Sequence, residues 1–82
     1  MDFAELKQVK YVKDYTLHVR FSDGTEGEID LESELYGEVF LPLKDREVFK
    51  SVFIHPELKV LSWECGADFS HEFIYELLKK AA

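Results

Sequence analysis

A net charge of -7 spread over 82 residues argues against a nucleic-acid backbone or an anionic membrane surface as the main partner, because both repel it. With 46% hydrophobic residues, four Gly and two Pro, the chain has the composition of one folded domain over 1–82, with disorder expected only at the first few residues and in the Lys-Lys-Ala-Ala tail. A single Cys excludes an internal disulfide framework and a zinc spacing, and with no apolar leader or long apolar run the expectation is a soluble, cytoplasmic protein.

From Met1 to Gln8 the pattern is ambiguous, since Phe3 and Leu6 suit either a helical turn or the approach to a strand. Val9, Tyr11 and Val12 predict a short first strand. Lys7, Lys10 and Lys13 around it form the one basic cluster, read as lysines that keep an exposed strand edge soluble. Tyr15, Leu17, Val19 and Phe21 then alternate with Thr16, His18 and Arg20, the period of a half-buried strand. After Ser22-Asp23-Gly24 the alternation resumes, with Ile29 and Leu31 on one side and Glu26, Glu28 and Asp30 on the other.

Parity fixes the loop of this hairpin. A two-residue loop would set Glu26 and Glu28 opposite Phe21 and Val19, placing carboxylates on the apolar face. A three-residue loop opposes Phe21 to Thr25, Leu17 to Ile29 and Tyr15 to Leu31, and matches Arg20 with Glu26 and His18 with Glu28. It requires a left-handed residue at its end, where Gly24 stands.

Between Asp30 and Gly37 one helical turn fits, capped by Asp30 and docked through Leu31 and Leu35. Val39, Phe40, Leu41 and Leu43 around Pro42 read as an extended, buried connector. Asp45 caps a second short helix that runs to Lys50. Val52–His55 and Leu58–Trp63 read as strands joined across Pro56-Glu57, with apolar residues on both faces and so covered on two sides. In Trp63-Glu64-Cys65-Gly66-Ala67-Asp68-Phe69-Ser70 an apolar run gives way to a helical pattern, with Asp68 or Ser70 as the cap. The helix runs from about Ser70 to Lys80, its Phe73, Ile74, Leu77 and Leu78 forming the apolar side and Phe73 and Leu77 crossing the sheet. The fold class is therefore α+β, an antiparallel sheet of four to five strands covered by a C-terminal helix, with one or two short helices in the middle.

Reactive groups are few. His18, His55 and His71 fall in different elements; His18 lies on a polar strand face beside Glu28, and the others flank a turn and a helix start. Cys65 is the sole thiol, either a nucleophile near a helix N-terminus or a small, at least half-buried hydrophobe, and Glu64 and Asp68 oppose an activated thiolate. Asp68 is accounted for as a cap, Gly66 as a backbone requirement, and Trp63 as core with its indole N–H on a backbone acceptor or water. No phosphate loop, metal spacing or nucleophile elbow occurs, so neither an enzyme nor a cofactor is expected. The turn Trp63, Cys65, Gly66, Asp68 and His71 is the candidate interaction surface or ligand site.

The succession Tyr15-x-Leu17-x-Val19-x-Phe21-Ser22-Asp23-Gly24, Asp30-Leu31, Pro42-Leu43-x-Asp45-x-x-x-Phe49, Trp63-x-x-Gly66-Ala67-Asp68 and Ile74-Tyr75 resembles domain-of-unknown-function family 2442, over about Val9 to Leu78. The resemblance implies a small bacterial α+β domain, often encoded beside another small protein as in toxin–antitoxin pairs, with no catalytic residues to transfer. Some members carry an added helix-turn-helix. None is expected in a chain ending at Ala82, so no DNA-binding role is carried over. Cys65 stands where the family commonly has a small polar residue, which weakens it as a nucleophile.

Two functions follow as expectations. One is an acidic protein-binding module, the antitoxin-like neutralising partner of a basic protein. The other is a small enzyme or ligand-binding protein using Asp68, His71 and Cys65. The partner expected is another small protein, with no direct nucleic acid or membrane contact, and a homodimer through a strand edge is compatible with either.

Overall fold

The alternating residues from Thr16 to Asp30 form, in a computed structural model that describes residues 4–81, two strands of a three-stranded antiparallel sheet. Its strands are β1 (Leu6–Lys13), β2 (Thr16–Phe21) and β3 (Glu26–Asp30), in the order β1-β2-β3. The register is the one that parity requires: Leu17 opposes Ile29, His18 opposes Glu28 and Arg20 opposes Glu26. The loop closes through Phe21 N–H to the Thr25 carbonyl (2.8 Å) and Gly24 N–H to the Phe21 carbonyl (3.0 Å), with Gly24 at φ +89°. At that φ a Cβ would clash with the chain's own backbone, hence the glycine.

β1 is longer than expected, an eight-residue strand in which Leu6 is buried against Phe21. The expectations placed on Phe3 and the first residues lie outside the described residues. Of the tail where disorder was expected, Lys79, Lys80 and Ala81 continue the final helix.

The single sheet of four to five strands is corrected to two sheets of three. The second is antiparallel β4 (Phe53–Ile54), β5 (Leu61–Ser62) and β6 (Asp68–Phe69), in the order β4-β5-β6. β1 runs beside β4, but among the described residues no backbone hydrogen bond joins them. Register shifts between Leu6 and Gln8 and between Tyr11 and Lys13 bend β1, which breaks the even ladder that a fourth strand needs.

The expected pair of covered central strands is also revised. β5 is central and buried, whereas β4 is an edge with Phe53 37% exposed. Residues 55–60 form a closed loop rather than strand. The His55 amide donates to the Val60 carbonyl and the Lys59 amide to the His55 carbonyl, both at 2.9 Å, and His55 Nδ1 accepts from the amides of Glu57 and Leu58 at 3.1 Å. Leu58 consequently points outward, 62% exposed.

Between the sheets the chain makes three short turns of helix. Asp30 Oδ1 accepts from the Glu32 amide (2.9 Å) to start a 3-10 turn over Glu32–Glu34, flanked by buried Leu31 and Leu35 as expected. Leu41–Lys44 is a second 3-10 turn, not the extended buried connector expected. Pro42 sits in its first turn, where a missing N–H costs nothing, and of Val39, Leu41 and Leu43 only Leu43 is buried. Asp45 then caps α1 (Arg46–Phe49) by accepting from the Glu47 amide at 2.9 Å, as its position predicts.

The last helix, α2 (His71–Ala81), is capped by Ser70, whose Oγ accepts from the Phe73 amide at 3.1 Å. Its buried contacts are Ile74 and Leu78, whereas Phe73 and Leu77, expected to cross the sheet, are half-buried. A Cβ on Gly27 of β3 would lie 2.8 Å from Leu78 Cδ1, so the bare glycine lets the helix settle onto the strand. Leu17, Val19, Phe21 and Ile29 meet Ile74, Leu43, Phe49, Leu61 and Trp63 in one core cluster. Each such side chain contributes about 1.5–3 kcal/mol on burial. No helix among the described residues is long and apolar enough to cross a membrane.

Candidate functional site

The stretch from Trp63 to His71 does not pass directly from strand into helix. The Trp63 amide donates to the Ala67 carbonyl (3.0 Å) and the Gly66 amide to the Trp63 carbonyl (3.0 Å), with Gly66 at φ +98°. This is the bonding of the first hairpin repeated: a three-residue loop, Glu64-Cys65-Gly66, ending on a left-handed glycine. It returns the chain into β6, where Asp68 pairs with Ser62 and Phe69 with Leu61. β6 was not legible as a strand, although the spacing of Gly66 from Trp63 matches that of Gly24 from Phe21.

The expected site residues have separate positions within this hairpin. Trp63 is buried and its Nε1 donates to the Phe49 carbonyl at 2.9 Å, the backbone acceptor anticipated; its ring lies 5.8 Å from Phe49 and 5.9 Å from Phe69. Cys65 is exposed at the loop apex, which corrects its reading as a buried hydrophobe. It precedes β6 and so does not sit at the helix N-terminus. Asp68 is exposed on β6 and is not the helix cap; Ser70 takes that role. His71 is the half-buried first residue of α2. No group of three or more His, Cys, Asp or Glu side chains able to hold a metal ion occurs among the described residues. His18 reaches Glu26, with Nε2 and Oε1 3.1 Å apart, rather than Glu28 directly opposite.

The first hairpin has a polar link to α2. Tyr75 Oη donates to Asp23 Oδ2 (2.7 Å), and the Thr25 amide donates to Asp23 Oδ1 (2.9 Å). The Thr25 amide first, then the Tyr75 hydroxyl, hold the Asp23 carboxyl below its ordinary pKa by favouring the charged form. The Tyr75 ring meets Phe21 edge-on at 4.9 Å.

A different part of the surface stands out by exposure. Tyr36, Val39 and Leu41 are 71%, 59% and 54% exposed within six residues of chain, between Leu35 and Leu43, which are both packed into the core. Exposed Glu32 and Glu38 accompany them. The connector's expected burial hid this patch, because large apolar residues in a run ordinarily signal core.

No curated protein and no solved structure matches the chain. Residues 6–80, which hold the two three-residue loops, α1, α2 as far as Lys80 and the exposed segment at 36–41, match the family described as protein of unknown function (DUF2442), and the chain belongs to that family.

Proposed function

We propose that this chain is a small acidic binding module, acting through association rather than catalysis, whose protein partner docks on residues 36–41. The carrying observation is the exposure of Tyr36, Val39 and Leu41 beside Glu32 and Glu38. Exposed large apolar residues with acids in the same stretch of chain suit a protein interface, and a projecting Tyr is among the commonest energetic anchors. The net charge of -7 selects a basic partner, which the acids attract and orient. Such a pair fits the neutralisation of a basic protein, as in a toxin–antitoxin-like arrangement in a bacterial cytoplasm.

Co-expression with the product of the adjacent gene, followed by calorimetric titration, tests this. The expected result is a complex that weakens with salt and loses at least about tenfold in affinity when Tyr36→Ser and Leu41→Ser are combined. Both residues are exposed, so the variant keeps its fold. Absence of enrichment over a control, or undiminished binding by the double variant, overturns the reading.

A further inference from the structure

The boundary between the two sheets forms an open groove of about 630 Å³. Lys7, Lys10 and His18 line one side of it, and Val52, Phe53 and Ile54 the other. This is within the range of about 300–1,000 Å³ usual for ligand sites. None of its lining residues carries a carboxylate, in a chain whose acids outnumber its Lys and Arg 17 to 10. The nearby acids are at the rim. Glu5 stands 3.9 Å from Lys7, Glu26 bonds His18 at 3.1 Å, and Glu28 lines the neighbouring hollow with Lys10 and His18. The Lys7–Glu5 ion pair and the His18–Glu26 contact are both between substantially exposed groups and are readily exchanged for another carboxylate.

We propose that this groove docks an extended acidic peptide carrying an apolar side chain, a second interaction surface opposite in charge preference to the segment at 36–41. Three observations converge on that occupant. The lysines supply complementary charge, and the overall charge of -7 opposes an acidic ligand only weakly beyond a screening length of about 8 Å at physiological salt. Phe53 and its neighbours supply an apolar wall for one anchoring side chain. The groove follows β1 from Lys7 to Lys10 beside β4. The two strands approach within 8 Å, too close for another to enter between them, so the occupant lies along the groove over both. An elongated chain with carboxylates spaced along it can meet both lysines and the apolar wall at once, which a small anion cannot do. The bulges and lysines of β1 work against indiscriminate strand pairing, so the occupant must carry the matching charge.

Fluorescence anisotropy with three labelled peptides tests the assignment: one alternating Glu with Leu, one Lys with Leu, one Glu with Ser. The Glu–Leu peptide is expected to bind, the Glu–Ser peptide at least about tenfold more weakly, and the Lys–Leu peptide not measurably. Combined Lys7→Glu and Lys10→Glu abolishes binding, and Phe53→Ser weakens it without touching the lysines; circular dichroism checks both folds. The Tyr36→Ser, Leu41→Ser variant binds the peptide as wild type does, which separates this surface from the one proposed above. No binding of the Glu–Leu peptide, equal binding of the Lys–Leu peptide, or retention by the lysine variant overturns the proposal. So does loss of binding in the 36–41 variant.

Discussion

The loops Ser22-Asp23-Gly24 and Glu64-Cys65-Gly66 close their hairpins with the same two backbone hydrogen bonds and the same left-handed glycine. What surrounds them differs. The first is flanked by strands of six and five residues, and its middle residue is tied to both Thr25 and the helix through Tyr75. The second is flanked by strands of two residues, and its middle residue is an exposed thiol. A turn's geometry is thus set by a few local residues, whereas the ladder it begins extends only as far as packing supports it. In the second hairpin the anchors are side chains, Trp63 and Ala67 at the two ends of the loop and Phe69 beyond, all buried.

The largest effect should therefore come from removing such an anchor. Trp63→Ala deletes the ring between Phe49 and Phe69 and leaves the Phe49 carbonyl with only its longer bond from the Val52 amide (3.3 Å). The expected loss is about 3–5 kcal/mol in urea unfolding. That is a large share of the roughly 5–15 kcal/mol that holds a domain folded. A loss below about 1 kcal/mol would mean that backbone pairing, not packing, holds this hairpin.

Next come the glycines. Beyond the adjoining residues a Cβ at either Gly24 or Gly66 would meet nothing within 4 Å, so the cost of Gly24→Ala and Gly66→Ala is that of the local backbone alone. Each should lose about 1–2 kcal/mol, and the two values should agree. Thermal unfolding of both variants side by side would reveal a disagreement, and with it a difference in how firmly each loop is held.

How much could be foreseen depended on the same contrast. Alternation from Tyr15 to Leu31 carries enough positions for parity to select the loop, and the observed pairing of Leu17 with Ile29 follows from it. Two-residue strands carry no alternation, so Phe69 was assigned to the approach of a helix, and Asp68 stood beside Ser70 as its cap. Caps that depend on one neighbour, such as Asp45 with the Glu47 amide, were legible; so was the acceptor need of the Trp63 indole. The order and spacing of these signals also carried the family membership. Leu41 and Val39 misled because Pro42 was taken to hold the residue before it extended, whereas Pro42 sits in the first turn of a 3-10 helix that begins at Leu41. The groove was beyond reach, since Lys7 and Phe53 meet only through the meeting of two sheets whose division no local pattern marks.

The approach of β6 to α2 gives a smaller and sharper test of that misassignment. Ser70→Ala removes the acceptor of the Phe73 amide and should cost about 0.5–2 kcal/mol. Asp68→Ala, at an exposed strand position, should stay within about 0.5 kcal/mol. Chemical denaturation of the pair decides which residue caps the helix. The reverse ranking would restore Asp68 to that role.

The subtlest difference lies at the middle residues of the two loops, Asp23 and Cys65, of which only the first is a carboxylate bonded to its surroundings. Its two bonds favour the ionised form, so the folded pKa lies below that of the unfolded chain. The sign of the linkage follows: this contribution is fully present above the ordinary carboxylate value of about 4 and fades as the pH falls through the lowered folded value. Carbon-detected NMR of the Asp23 carboxyl should place its midpoint below that of an unperturbed Asp. In Tyr75→Phe the midpoint should rise only part of the way back, because the Thr25 amide, the stronger of the two influences, remains. A midpoint that does not move in Tyr75→Phe would show that the hydroxyl does not favour the ionised carboxylate, and the first hairpin would then lean on α2 through the contact of Phe21 with the Tyr75 ring, much as the second leans on Trp63.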